Sequence, residues 1–128
     1  MTSLVLHEIK KTADGTNIHW LIINREDRRN ALNADVMAEM GAGVTKAGND
    51  PDARAIVITG IGDKAFCAGG DLNRGEGDTP FGFDYQRPNN PVADFFRQLE
   101  RCNLPVIARV NGHALAGGLG LMCACDLD

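Results

Sequence analysis

The chain has 128 residues, 44% of them hydrophobic and 23% charged, with 17 acidic against 13 basic side chains and a net charge of −4. That is the composition of an ordinary soluble domain, long enough to bury about two-thirds of its surface. The acidic balance argues against a nucleic-acid or anionic-membrane partner, which would need clustered Lys and Arg. No apolar run approaches the ~20 residues of a membrane span, and no basic segment followed by an apolar one marks a secretory leader, so a cytoplasmic location is expected.

Taken in order, Leu4 to Ile9 alternate as a strand with two partly covered faces. Ala13-Asp14-Gly15-Thr16 is a turn, because Asp-Gly supplies the positive φ of a tight hairpin. Ile18 to Ile23 return as its partner strand, with His19 and Trp20 on opposite faces. Asn24 to Leu32 form a polar connection in which Arg25, Arg28 and Arg29 are either solvated charge or a phosphate-binding set. Asn33 caps a helix running to about Gly48, with Val36, Met37, Met40, Val44 and Ala47 on one face. Gly41 and Gly43 each cost about 1 kcal/mol against alanine, so this helix must rely on packing.

Ala53 to Thr59 lack polar alternation, the mark of a parallel strand covered on both sides. A helix between two parallel strands implies a right-handed crossover. A glycine turn, Cys67-Ala68-Gly69-Gly70-Asp71, follows. Asn73 to Pro91 hold no period; Phe81, Phe83 and Tyr85 fit either a flap over an apolar ligand or disorder. Val92 to Cys102 read as a helix with Phe95, Phe96 and Leu99 on one face. Pro105 to Val110 read as a buried strand leading to a second glycine turn, and a helix opens at Gly117-Gly118. The last residues enter another strand. Cys67, Cys102, Cys123 and Cys125 have neither disulfide-scaffold nor zinc spacing, and they are expected to be reduced thiols with no metal site.

Two strand-to-glycine turns in one small domain can aim two main-chain N–H groups at one oxygen, the geometry of an oxyanion hole. Helix N-termini add orphan N–H donors and about half a positive charge. Glycine keeps a Cβ out of the ligand's way.

Several blocks carry a family resemblance: Asn24-Arg25 with Arg29-Asn30-Ala31-Leu32-Asn33, Arg54 to Gly60, Phe66-Cys67-Ala68-Gly69-Gly70-Asp71-Leu72, Pro105 to Ala108 with Asn111-Gly112 and Ala116-Gly117-Gly118, and Cys125-Asp126-Leu127. In order and spacing the chain resembles the crotonase superfamily, the enoyl-CoA hydratase/isomerase fold. The resemblance implies an α/β ββα spiral of the ClpP/crotonase type. It also implies that residues 1–128 form a single, incomplete core domain, lacking the C-terminal helices used in trimer assembly. The expected partner is an acyl-CoA thioester, with coenzyme A entering as part of the substrate and no separate cofactor. A homotrimer or dimer of trimers is expected of the full-length protein.

By motif position the resemblance gives the oxyanion donors as the N–H groups of Gly70 and Gly117. It places Arg28, Ala31, Leu32, Ala68, Gly69, Asp71, Leu72 and Gly118 around the coenzyme A moiety and the thioester. Hydratases of this family carry a glutamate three residues after the second oxyanion glycine; here that position is Gly120. The second catalytic position falls beyond Asp128. Reaction type therefore stays open among hydration, isomerisation, hydrolysis and decarboxylation of a CoA ester, and a non-catalytic acyl-CoA-binding module remains the alternative. His113 reads either as a ligand neighbour or as a structural histidine; His7 and His19 have no nucleophile nearby in sequence.

Overall fold

The computed structural model describes residues 3–69, 91–115 and 117–127, with the main chain alone at Gly117 and Leu119. The aromatic segment read as a flap lies outside the described residues, apart from Pro91 at its end, and so do Gly70, Asp71 and Leu72.

Strand β1 (Val5–Lys11) pairs antiparallel with β2 (Asn17–Ile23) in an unbroken register from Val5 opposite Ile23 to Lys11 opposite Asn17. The Asp14 carboxylate closes the intervening turn by accepting from the hydroxyls of Thr12 and Thr16 and the Thr16 N–H. These bonds, Thr12 first, hold its acidity at about 2. Helix α1 (Ala34–Gly48) follows, then β3 (Ala53–Gly60), which lies parallel to β2. Helix α2 (Pro91–Arg101) leads to β5 (Val106–Arg109), parallel to β3 on its far side. The four strands run in the order β1-β2-β3-β5.

Asn33 accepts the Val36 N–H at 2.8 Å, so α1 begins where the capping residue dictates. Val36, Met37, Met40, Val44 and Ala47 are all buried and pack on Leu21, Ile23, Ile56, Ile58, Val106 and Ala108 from the facing side of the sheet. A Cβ at Gly43 would stand 2.5 Å from Leu21 Cδ2, so the glycine is what lets the helix approach the sheet this closely. Trp20 points to the other face, where the Lys10 ammonium sits 4.0 Å from its ring centre.

Two short strands lie outside the pattern read from sequence. β4 (Ala65–Cys67) and β6 (His113–Ala114) pair in parallel as a separate two-stranded sheet. Helix α3 (Gly117–Ala124) follows β6, and Leu127 bridges in parallel to Ile107, which extends the main sheet past β5. The Asp126 carboxylate accepts the Val106 N–H at 2.8 Å and fixes that junction.

Candidate functional site

The parallel strands β2, β3 and β5 all end at the same edge, the side on which open α/β sheets commonly bind ligands. Three connections meet there: Asn24–Asn33 after β2, Ile61–Gly69 after β3, and Val110–Gly117 after β5. The first contains a 3-10 turn at Glu26–Arg28, then Arg29 and Asn30 with φ of 52° and 58°. Left-handed backbone costs about 1 kcal/mol or more for a residue with a Cβ, least for Asn. Here the Asn30 side chain offsets that cost. It is 1% exposed and makes three hydrogen bonds. Its Oδ1 accepts the Arg25 N–H at 3.1 Å, and its Nδ2 donates to the carbonyls of Ile61 (3.1 Å) and Ala65 (2.8 Å).

The two glycine stretches come together. The Cys67 carbonyl accepts the Leu115 N–H at 3.1 Å, and a Cβ built at Gly118 would collide with that same carbonyl. Gly118 is buried and its N–H donates to Leu115 O at 2.8 Å, so this glycine serves close packing of α3 on β4. Gly117 is the first residue of α3, where the helix itself offers an N–H no acceptor. Gly69 has φ of 98°, a conformation that a Cβ would strain. Burial pushes the Cys67 thiol up to about 11, against a smaller opposing effect of the Gly69 N–H. It is a packing group rather than a nucleophile.

Ala31 and Leu32 also meet the first glycine stretch. The Leu32 N–H donates to Gly69 O at 2.7 Å, and the Ala68 N–H donates to Arg29 O at 3.0 Å. Both Ala31 and Leu32 have buried side chains, with Leu32 fully inside the core, so a ligand beside them would meet main chain rather than side chain. Arg25 is committed in part to structure, its Nη1 donating to Ala31 O at 2.7 Å. Arg28 is exposed on the rim of a shallow cleft of about 420 Å³ that also touches Leu4, Asn24 and Asp27. A larger hollow of about 810 Å³ lies between α1 and α2, lined by Thr45, Gln98 and Arg101 among others. None of the site residues expected from the sequence lines it.

A Cβ at Gly120 would meet the Phe96 ring at 3.7–3.8 Å, an ordinary contact. Packing therefore does not forbid a Cβ at this position. His113 is exposed on β6. His7 and His19, unassigned by sequence, form a chain at the opposite end of the sheet: His7 Nε2 to His19 Nδ1 at 2.8 Å, and His19 Nε2 to Asp50 Oδ2 at 2.7 Å. The Asp50 carboxylate also accepts from Asn17 and the Asp52 N–H; with His19 these hold its acidity at about 2. An ionised Asp50 requires His19 Nε2 to donate; with His19 neutral, its Nδ1 accepts and His7 Nε2 donates. Burial, then His19 and then Lys46 hold His7 below its usual value. Among the described residues no group of three His, Cys, Asp or Glu side chains is placed to hold a metal ion.

Residues 14–128 match the family model described as enoyl-CoA hydratase/isomerase. A probable enoyl-CoA hydratase of Mycobacterium tuberculosis is 41% identical over 115 residues, covering 87% of this chain and 42% of that protein. A short-chain-enoyl-CoA hydratase of Clostridium acetobutylicum is 41% identical over 106 residues, covering 82% of this chain and 40% of that one. Among solved structures, a carnitinyl-CoA dehydratase from Mycobacterium avium superposes with a TM-score of 0.75 at 38% identity, over 98% of this chain and 44% of the other. The chain thus spans less than half the length of these relatives. The helix-and-strand order agrees with the ββα architecture expected from the sequence, present as its N-terminal part.

Proposed function

The chain belongs to the enoyl-CoA hydratase/isomerase family of the crotonase superfamily, and from that premise we propose that its protein acts on an acyl-CoA thioester, stabilising an enolate in a backbone oxyanion hole. The reading rests on one observation above the rest. The Cys67 carbonyl, three residues before Gly70, receives the Leu115 N–H and the bare Cα face of Gly118, next to Gly117. The segments that carry the two candidate amides are therefore locked to one another by main-chain contact. In the proposed site Gly117 N–H and Gly70 N–H donate to the thioester oxygen as negative charge develops there. Preorganised donors of this kind are worth about 3–4 kcal/mol each when removed singly. In this reading Ala31, Leu32, Ala68 and Gly69 border the coenzyme A moiety, and Arg28 offers charge at the rim. Asp71 and Leu72 complete that proposed surface.

Hydration or isomerisation of an enoyl thioester is the chemistry proposed first. Incubation of the full-length protein with crotonyl-CoA should deplete the conjugated-enoyl absorbance. Retained CoA-ester binding without that loss would count against it. Gly120 favours a second reading, because no carboxylate stands at the position where hydratases carry one. On that reading the same oxyanion site serves hydrolysis or decarboxylation of a CoA ester, or binds the ester without turnover. Mass analysis of products separates these cases. Trimeric assembly in the cytoplasm belongs to the same proposal, and sedimentation of the full-length protein tests the assembly.

A further inference from the structure

We propose that Asn111, with Asn30, is a positioning residue for the oxyanion pair: the two amides hold the Ala65 carbonyl from two connections and so fix β4 against α3. The inference rests on the acyl-CoA reading above. Asn30 Nδ2 reaches Ala65 O at 2.8 Å from the loop after β2, and Asn111 Nδ2 reaches the same oxygen at 3.2 Å from the loop after β5. Neither side chain is held by that oxygen alone. Asn111 Nδ2 also donates to Gly62 O at 2.8 Å, while its Oδ1 accepts the Gly60 N–H at 3.1 Å. Each amide thus spans the end of β3 or the loop behind it and the start of β4.

The space around that carbonyl is cleared on both sides. A Cβ at Gly60 would press on Asn30 Nδ2 and on the carbonyls of Ala65 and Phe66. A Cβ at Gly112 would lie 2.5 Å from Lys64 C and 2.7 Å from Ala65 N. β4 is only three residues long, too short to set its own position by strand pairing. Its first carbonyl is gripped by the two amides, and its last carries the contacts to Leu115 and Gly118. Any displacement at Ala65 therefore passes to the Cys67 carbonyl, and from there to the separation between the bend after β4 and the first amide of α3. Two donors aimed at one oxygen tolerate a misplacement of only about 0.5 Å.

The test uses Asn111→Asp, because Asn111 is half-buried and the replacement is nearly the same shape. The new carboxylate keeps the acceptor that faces Gly60 N and turns an oxygen toward the carbonyls of Gly62 and Ala65. The probe is butyryl-CoA labelled with ¹³C at its thioester carbonyl, a saturated ester that cannot be hydrated. Isotope-edited infrared spectra of the complex read how strongly the carbonyl is polarised. In the wild-type protein the band should move to lower frequency on binding. In Asn111→Asp binding should stay within about threefold, while the shift falls by about half or more as donor geometry degrades. An unchanged shift in the variant, with the wild-type shift present, overturns this inference alone. No binding or no shift in the wild-type protein overturns the acyl-CoA reading and this inference with it. Should Asn111→Asp fail to fold, Asn111→Ser decides by the same readout. Failure of both to fold would make the amide a determinant of the fold and overturn its positioning role.

Discussion

The two ends of the main sheet are built from opposite materials. At the end where β2, β3 and β5 finish, structure is held by groups that do not titrate near neutral pH: the amides of Asn30 and Asn111, the Arg25 guanidinium on Ala31 O, main-chain carbonyls, and glycines whose missing Cβ atoms let β4, β6 and α3 touch. At the other end, His7, His19 and Asp50 form a chain of titratable side chains linking β1, β2 and the start of the α1–β3 connection. Contacts of that kind hold a fixed geometry whatever the proton activity, which suits a site that must present donors in one orientation. The charged chain trades that indifference for stronger individual bonds. The first end is vulnerable to added atoms, the second to lost partners and to acid.

The largest effect that separates them is expected from Gly118→Ala. The methyl group would meet the Cys67 carbonyl, a main-chain atom that cannot swing aside. Overpacking of this kind costs about 1–3 kcal/mol and more where the backbone is the obstacle. Thermal melting should show a loss of several degrees, and CoA-ester binding should fall with it. Gly117→Pro acts more selectively. Proline is well tolerated at the first position of a helix, so the fold should survive while the N–H disappears. Turnover of whichever CoA ester is processed should drop about 100- to 1,000-fold with melting little changed. Undiminished turnover would remove Gly117 from the oxyanion assignment.

At the opposite end, Asp50→Ala should leave His19 Nε2–H, on a side chain 1% exposed, without its acceptor. A buried donor left unsatisfied costs about 1–3 kcal/mol. Denaturant titration should register that loss, while ester affinity stays close to the wild-type value; a matching loss of affinity would mean that the two ends are coupled. The mildest probe is pH. His7 titrates lower in the folded chain than its usual value of 6.5, so the unfolded chain binds more protons just below that value. The His7 contribution to stability is therefore fully present above about pH 6.5 and is lost as pH falls from there toward the folded value. The lowered Asp50 adds a second loss as pH drops from 3.8 toward about 2. Melting temperatures in mildly acidic buffer should fall less steeply for His7→Gln than for the wild type. Equal slopes would place the acid sensitivity elsewhere.

The same contrast explains what could be read from the sequence. The hairpin, α1 with its Asn33 cap, β3, α2, β5 and the start of α3 at Gly117 all lie within about two residues of where periodicity and capping put them. Each is long enough, or bounded sharply enough, to leave a local signal. β4 and β6 are three and two residues long, and the pairing that makes them strands joins segments more than forty residues apart. No window along the chain contains that information. The family resemblance sets Gly118 beside the thioester, but its packing against the Cys67 carbonyl leaves no local signal, because sequence cannot distinguish a glycine facing a ligand from one facing another carbonyl. The histidine chain was hidden for a similar reason: only the β1–β2 register and the return of the chain at Asp50 bring the three groups into line. Asn30 did leave a trace. Asparagine is among the residues that tolerate left-handed backbone, and its place in a polar connection was the available clue.

Trp20 is the sole tryptophan in the chain, and it lies on the hairpin with a lysine ammonium over its ring. Its emission therefore serves as a built-in optical gauge of whether β1 remains docked on β2. Stopped-flow traces of that signal, set beside far-ultraviolet dichroism, would time the release of the hairpin against the melting of the helices without any label being introduced.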